Sequence, residues 1–403
     1  MTGNGSRTVP DAGYDLLRGV RILDLTRLLP GPFCTMILAD YGAEVLKIEA
    51  PGEGDYLRSW EPLVDGVSAF FIAVNRNKRS LTLDLRSEDG RKIFHRLVRE
   101  YDVVIESFRP GVMERLGCGY DELKKLKPEL VYASLTGYGQ TGPKAQKAGH
   151  DLNYMAESGV LATTASREIP SLSGIQVADV AGGALYAVSA VLAACIRAQR
   201  DKTGSFLDIS MTDGLVSMLP ILSAYYYSIG LDPGPNAMML NGQLACYAIY
   251  KTQDGREISL GALEKKFWLN FCRAADCMEL AEGDHQDLSR QADLKAALTR
   301  LFASYTAAEW EALLAGRDTC CEVLKNFAEV TEDPHFRARG LFWELALDEQ
   351  RRLLQTNTAV MVDGARPQTH RPAPALGADS DVVLEGLGIG PEEIAGLRAR
   401  GII

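Results

Sequence analysis

Short apolar runs alternate with helix-period segments over the first 140 residues, and this alternation constrains the chain more than any other feature. Val20–Thr26 is a strand-type run, and Leu28-Leu-Pro-Gly-Pro32 turns the chain into a helical pattern over Phe33–Tyr41, with Gly42 just past its end. Glu44–Glu49 reads as a second strand, stopped by Pro51, and Ser80–Leu85 alternates with period two. Ser87 opens an amphipathic helix through Glu100, with Glu88 and Asp89 suited to its first turn. Asp102–Glu106 and Leu130–Leu135 add two further strands. Strands and helices at this spacing mean βαβ units, hence an α/β fold with a mostly parallel sheet.

Such sheets bind ligands beyond the carboxyl ends of their strands. The loops that matter are therefore Thr26–Pro32, Glu49–Asp55, Glu106–Arg115 and Thr136–Asp151. None carries G-x-G-x-x-G or a P-loop, which disfavours a dinucleotide or nucleoside triphosphate. Downstream, Ala181–Gln199 reads as a long apolar helix, and another runs from about Asp213 toward Ser228. Gly230–Asn241 has linker composition, and Leu244–Leu260 reads as a hairpin turning at Asp254-Gly255. Leu- and Ala-rich helical segments follow to about Ala328, as a separate smaller domain would.

The formal net charge of −10 argues against a nucleic-acid or anionic-membrane partner. The eight cysteines are scattered through apolar segments without a C-x-x-C pair, as buried reduced thiols would be. Met1–Asp15 is polar and lacks a signal-peptide core, and no uniformly apolar run reaches membrane-spanning length. The expected location is the cytoplasm.

Two segments could carry chemistry. The loop Tyr138–Pro143 leads into Gly149-His-Asp-Leu-Asn-Tyr154, which sets His150 beside Asp151 one turn after a strand end. Histidine is the natural proton shuttle near neutral pH, although a His-Asp pair also serves as an ordinary helix cap. Asp179, in Gln176-Val-Ala-Asp-Val-Ala-Gly-Gly183, stands at the head of the long apolar helix. There it reads as an N-cap, or as a carboxylate beside free N–H groups that could hold an oxyanion, with the glycines letting a ligand approach. Basic residues gather near strand ends: Arg76, Lys78 and Arg79 in one segment, Arg109 and Arg115 in another. They are candidates for phosphate contacts or for a solvated charged face. The five histidines (95, 150, 285, 335 and 370) are too dispersed for a metal site, and His285 and His370 read as surface residues.

Taken in order, these segments resemble the class III coenzyme A transferase family, which includes the α-methylacyl-CoA racemases. The resemblance runs from about Leu17 to Leu345. It is carried by Leu17–Leu25 with Pro30-Gly-Pro32, Asp40–Glu49, Asn75–Ser80, Phe108–Gly111, Glu114–Gly117, Thr136–Pro143, Lys202-Thr-Gly204 and Asp333–Gly340. It implies a large Rossmann-like domain built from both chain ends, over 1–209 and 353–403, and a small α+β domain over 246–342. Linkers at 210–245 and 343–352 would join them. An interlocked homodimer is implied as well, with the small domain of one chain closing over the other chain's site. Asp179 matches the family's catalytic aspartate, a nucleophile toward the thioester in transferases and an acid/base in racemases. Gly149–Tyr154 matches the racemase version, with His150 as the opposing base, Asp151 beside it, and Glu264 of Gly261–Glu264 near it. The cations above, with Tyr138 and Gly139, would bind the coenzyme A part of the substrate, and no metal or separate cofactor is expected. On this resemblance the chain is a racemase or epimerase of a 2-methylacyl-CoA thioester, an enzyme of lipid metabolism. The alternative is a CoA-transferase working through Asp179. Val180-Ala181 stands where the racemase pattern has Phe-Gly, and is closer to many transferases.

Overall fold

The computed structural model describes residues 13–164, 171–232, 234–367 and 370–403. Residues 1–12, on which most of the polar N-terminal reading rests, lie outside them. The chain divides into two units. One comprises Met1–Ser158, Gly174–Met218 and His335–Ile403; the other comprises Gly159–Ser173 and Leu219–Pro334.

In the larger unit β1 (Arg21–Leu25), α1 (Pro30–Asp40), β2 (Glu44–Glu49), β3 (Lys78–Thr82), α2 (Glu88–Glu100), β4 (Val103–Glu106) and β5 (Val131–Thr136) follow in order. After them come α3 (Asp151–Glu157), a π-helical turn over Ala178–Leu185 that runs into α4 (Tyr186–Asp201), β6 (Ser205–Ser210) and α5 (Met211–Ser217). The six strands form one sheet in the order β3-β2-β1-β4-β5-β6, all parallel. This is the doubly wound order, in which strand succession reverses between β1 and β4 and leaves a crevice at their carboxyl ends. Helix α2 forms where its pattern predicts: Ser87 caps the Gly90 N–H at 2.9 Å, and Ile93, Phe94, Leu97 and Val98 are buried. They join Leu23, Leu46, Leu81 and Val104 of the strands in a single core. That core also contains Val383, Leu384, Ile394 and Leu397 from the C-terminal helices, so both chain ends build this unit.

The π turn and α4 are continuous over Ala178–Asp201, with mean hydropathy 1.8 in the most apolar 18-residue window, and by length and composition alone this helix could cross a bilayer. Its Ala187, Val188, Val191 and Ala194 are buried and it packs on β5 and β6, as the core helix of an α/β layer does. It is only half-buried, however, and Leu185, Tyr186 and Ile196 are exposed.

The segment expected as a linker over 210–245 is largely helical. Helix α5 ends at Ser217, and the single helix expected toward Ser228 is broken at Pro220, which takes the first position of a new helix, Pro220–Ile229. Proline is tolerated there because the first turn leaves its N–H unbonded in any case. In the smaller unit β7 (Tyr247–Lys251) and β8 (Glu257–Gly261) pair as the expected hairpin, and β9 (Cys321–Val323) adds to β8. Trp268, Phe271, Phe302 and Trp310 fill its core. The second expected linker, 343–352, lies within a hairpin of the larger unit, β10 (Phe342–Ala346) with β11 (Arg352–Thr356).

Two histidines expected at the surface are buried. His285 stacks on Trp268 at 5.4 Å and bonds to the Leu263 carbonyl oxygen at 2.8 Å. The His370 side chain is fully buried between Asn357 and Asn77, and burial lowers its pKa to about 4. Both lie in polar sequence stretches, and only long-range contacts enclose them.

Candidate active site

Asp151 and Asp179 meet in the larger unit, and His150 precedes Asp151 in the chain. His150 occupies the cap position of α3 with its side chain exposed, and Asn153 Oδ1 accepts its backbone N–H at 3.0 Å. Asp151, the first residue of α3, turns its carboxylate to the π turn, where Oδ1 accepts the Asp179 backbone N–H at 3.0 Å. Two sequence expectations are corrected here. Asp151 serves Asp179, and among the described residues no hydrogen bond joins it to the His150 ring. The N–H groups at Asp179 are not free for an oxyanion either: that of Asp179 is held by Asp151, and that of Val180 donates to the Gln176 carbonyl oxygen at 2.9 Å.

Asp179 lies inside the helical turn, with Val177 rather than itself at the cap. Burial, with the Asp151 carboxylate as the smaller cause, raises its carboxyl to about 7. The Gly182-Gly183 pair that follows serves packing. A Cβ at Gly182 would stand 2.6 Å from the Met211 carbonyl oxygen, and a Cβ at Gly214 of α5 would strike the Gly182 carbonyl. These close approaches let α5 lie against the π turn and fix the helix that carries Asp179.

The loop after β5 flanks this site. Tyr138 and Tyr154 meet edge to face at 5.2 Å, and the Tyr154 hydroxyl donates to the Gly149 carbonyl oxygen at 2.5 Å. Burial, then the nearby Asp179 charge, raises the Tyr154 hydroxyl to about 12, while Arg109 acts on it in the opposite sense. Arg109 is therefore close enough to the site to be felt there. The Tyr138 hydroxyl is buried beside Gly149 and bonds to none of the described residues. The Gly139 N–H is engaged by Thr136 Oγ1 at 3.0 Å, and both Asp208 oxygens accept the Gln140 N–H.

A cleft of about 690 Å³ opens at the carboxyl ends of β1, β2, β3 and β4, within the size range of small-molecule sites. Leu25, Ile48, Leu83, Val112 and Leu116 give it apolar walls, and its cations are Arg27, Arg86 and Arg115. The expected phosphate ligands thus divide. Arg115 lines the cleft, and Arg109 is exposed on the loop leading to it. Arg76 is 2% exposed and paired through two of its guanidinium nitrogens with Asp40, at 3.0 and 2.6 Å. Lys78 is buried on Asp24 at 3.1 Å, and Arg79 pairs with Asp379 at 3.2 Å and Glu44 at 3.4 Å. Charge at a strand end does not say which way the side chain turns, so sequence pattern could not separate these two groups. Arg27 and Arg86 were missed, although each follows a strand end; Arg27 lies between the Tyr56 and Phe108 rings, 4.9 Å from each.

Glu264 belongs to the smaller unit, at the cap position of helix Lys265–Ala274. Among the described residues no group of three or more His, Cys, Asp or Glu is placed to hold a metal ion.

Residues 17–380 match CoA-transferase family III. The chain is 33% identical over 376 residues to the succinyl-CoA:glutarate CoA-transferase of Homo sapiens, covering 92% of this chain and 85% of that protein. It is 32% identical over 393 residues to the alpha-methylacyl-CoA racemase of Homo sapiens, covering 96% and 97%. The crystal structure of a CAIB/BAIF family protein from Brucella suis superimposes with a TM-score of 0.78 at 30% identity, over 92% of this chain and 98% of that one. A buried aspartate whose carboxyl is raised to about 7, the start of α3 with His150 held next to its turn, and an arginine-bearing cleft at the sheet's switch point thus sit on a fold and sequence shared with enzymes of both activities, and the chain belongs to CoA-transferase family III.

Proposed function

We propose that this chain is a racemase or epimerase that inverts the α-carbon of a 2-methylacyl-CoA thioester. The observation that carries the reading is the Asp151 carboxylate on the Asp179 backbone N–H at 3.0 Å, which holds the start of α3, where His150 stands, against the π turn that carries Asp179. The cleft sets Arg27, Arg86 and Arg115 among the acids Glu49, Glu53 and Asp84, with Arg86 paired to Asp84 at 2.9 Å, and Arg27 and Arg115 are its candidates for the phosphates of coenzyme A. A thioester acidifies its α-proton. One base, Asp179 or His150, removes that proton from one face and leaves a planar enolate, and the other returns a proton to the opposite face. A carboxyl titrating near 7 is well matched to such exchange, since acid and base forms are both populated. One proton leaves and one returns, so the chemistry consumes no cofactor; coenzyme A enters as part of the substrate.

A second reading keeps Asp179 and discards His150. In a CoA-transferase the carboxylate attacks the thioester and expels the CoA thiolate, giving a mixed anhydride; the thiolate then attacks the aspartyl carbonyl, releasing the acyl group as a carboxylate and leaving an enzyme-bound CoA thioester. Relatives of both activities at 33% and 32% identity support keeping it. Incubation with a 2-methylacyl-CoA in deuterium oxide separates the two. Racemisation incorporates one deuterium at the α-carbon with loss of optical purity. No exchange across several acyl chains, with a CoA adduct on Asp179 that a carboxylate acceptor discharges, would establish the transferase.

A homodimer is expected. Leu185, Ser189, Ala193 and Ile196 form an exposed stripe along one face of the Ala178–Asp201 helix, with Val216 exposed on α5. At 48, 63 and 53% exposure, Leu185, Ile196 and Val216 are large apolar side chains in need of a cover. The double variant Leu185→Glu/Ile196→Glu should run as a monomer in light scattering where the parent runs as a dimer. A monomeric parent would refute the assignment.

A further inference from the structure

Four fully buried ionic side chains lie beneath the cleft and take no part in the chemistry above. Lys47, in the middle of β2, pairs with Asp55 at 3.1 Å, and Lys78 pairs with Asp24 at 3.1 Å. All four are completely enclosed. Desolvating such ions is costly, and apolar replacements of buried pairs are often neutral or stabilising, so stability alone gives no reason for them.

Lys78 Nζ also donates to Asn75 Oδ1 at 2.8 Å and Asp24 Oδ2 accepts the Thr35 hydroxyl at 2.6 Å, but most of their remaining bonds go to the turns after β1 and β2, which supply two of the loops lining the cleft. Lys47 Nζ donates to the Thr26 carbonyl oxygen at 2.7 Å, and Lys78 Nζ to that of Pro32 at 3.0 Å. Asp24 Oδ1 accepts the Thr26 N–H at 2.9 Å and the Thr26 hydroxyl at 2.5 Å. Asp55 Oδ1 accepts two backbone N–H groups from different loops, Leu28 at 3.1 Å and Leu57 at 3.0 Å. Leu28 is held at φ +64°, a left-handed conformation that leucine adopts only when its surroundings enforce it. On either side of these anchors stand Arg27 and Tyr56, which line the cleft and are joined by a 2.7 Å hydrogen bond. The loop between β2 and Asp55 is tied back in turn, since Glu49 accepts the Asp55 N–H at 3.0 Å.

We infer that Lys47 and Asp55 are positioning residues for the ligand of this cleft, a buried ionic brace that locks the Thr26–Leu29 turn to the Asp55–Leu57 turn and so sets Arg27 and Tyr56. Neither touches the ligand; both act through the backbone they hold. The assignment rests on the reading of the cleft as the coenzyme A site, and it names what gives that site its shape.

The test compares the full-length protein with Lys47→Met/Asp55→Asn, which removes both charges and leaves no buried ion unpaired. Asp55→Glu provides a second variant in which the charge is kept and its reach altered. Coenzyme A binding is measured by calorimetry, and exchange of the Leu28 and Leu57 amides by NMR or mass spectrometry. Turnover of the acyl-CoA is also followed. The double variant should fold with a similar Tm, exchange both amides faster and bind coenzyme A about tenfold more weakly or worse. Its KM should rise more than its kcat falls. Parental amide exchange and parental affinity in a folded double variant would overturn the brace, as would equal losses in kcat and KM with a collapsed Tm in both variants. If the parent itself does not bind coenzyme A, the reading of the cleft fails, and amide exchange still decides whether the pair holds the two turns.

Discussion

Asp179→Asn should stop turnover and at the same time stabilise the folded chain above neutral pH. The loss follows from either chemistry, because an amide can neither exchange the α-proton nor attack the thioester. At least about a 1000-fold fall in kcat is expected, the scale seen when a group on which a mechanism depends is removed. The gain in stability follows from burial. An unfolded aspartate loses its proton near about 3.9, whereas burial and the Asp151 charge hold this one to about 7. Between those values the native state binds a proton that the unfolded chain has released, so native stability falls as pH rises through that window. Above it, ionised Asp179 costs on the order of a few kcal/mol, and asparagine removes that term. Thermal unfolding of parent and variant across pH 4 to 8 should show the two curves diverging as pH rises. In the parent, the rate for the direction in which Asp179 takes the proton should rise with pH toward a plateau above about 7. A variant that keeps substantial turnover, or stability curves that stay parallel, would remove Asp179 from the centre of the site.

His150→Ala should divide the two readings of the family. If His150 is the second base, racemisation and α-deuteration in at least one direction fall by about 100- to 10,000-fold, the usual contribution of a positioned acid or base. A transferase would keep most of its activity, since its attacking group is Asp179 alone. The variant is structurally mild: His150 is exposed, and the cap of α3 is secured by Asn153 Oδ1 on the residue 150 backbone N–H, which alanine retains. A changed kcat is thus not readily explained by unfolding, and an unchanged Tm would secure the interpretation. Full racemase activity in this variant would refute the two-base mechanism.

Much of the fold was legible because it depends on local periodicity. The strand at Glu44–Glu49, the helix opened by Ser87 and the hairpin turning at Asp254-Gly255 all form where their patterns put them. The strand-end loops also foretold where the cleft lies, since three of the four contribute residues to its lining. Element boundaries between units were less legible. Gly230 was visible as a breaker, whereas the helix read from about Asp213 toward Ser228 ran through Pro220, where one helix has ended and another starts.

Within the site, residue identity was readable and side-chain direction was not. Asp179, His150 and Asp151 stand out by type and spacing; that Asp151 faces the Asp179 backbone rather than the His150 ring depends on how α3 meets the π turn. The same holds for charge. Arg76 and Arg115 look alike in sequence, yet one pairs with Asp40 inside the core and the other lines the cleft. Gly182 suggested room for a ligand, and Met211 and Gly214 fill that room. By itself the sequence determined which segments are strands and helices, that a parallel sheet forms and which acid/base residues are present, because these follow from hydrophobic period and residue chemistry. Only the tertiary structure decided which ions are enclosed, which N–H groups are already bonded and what pKa Asp179 has, because each depends on groups far apart in the chain being brought within a few ångströms.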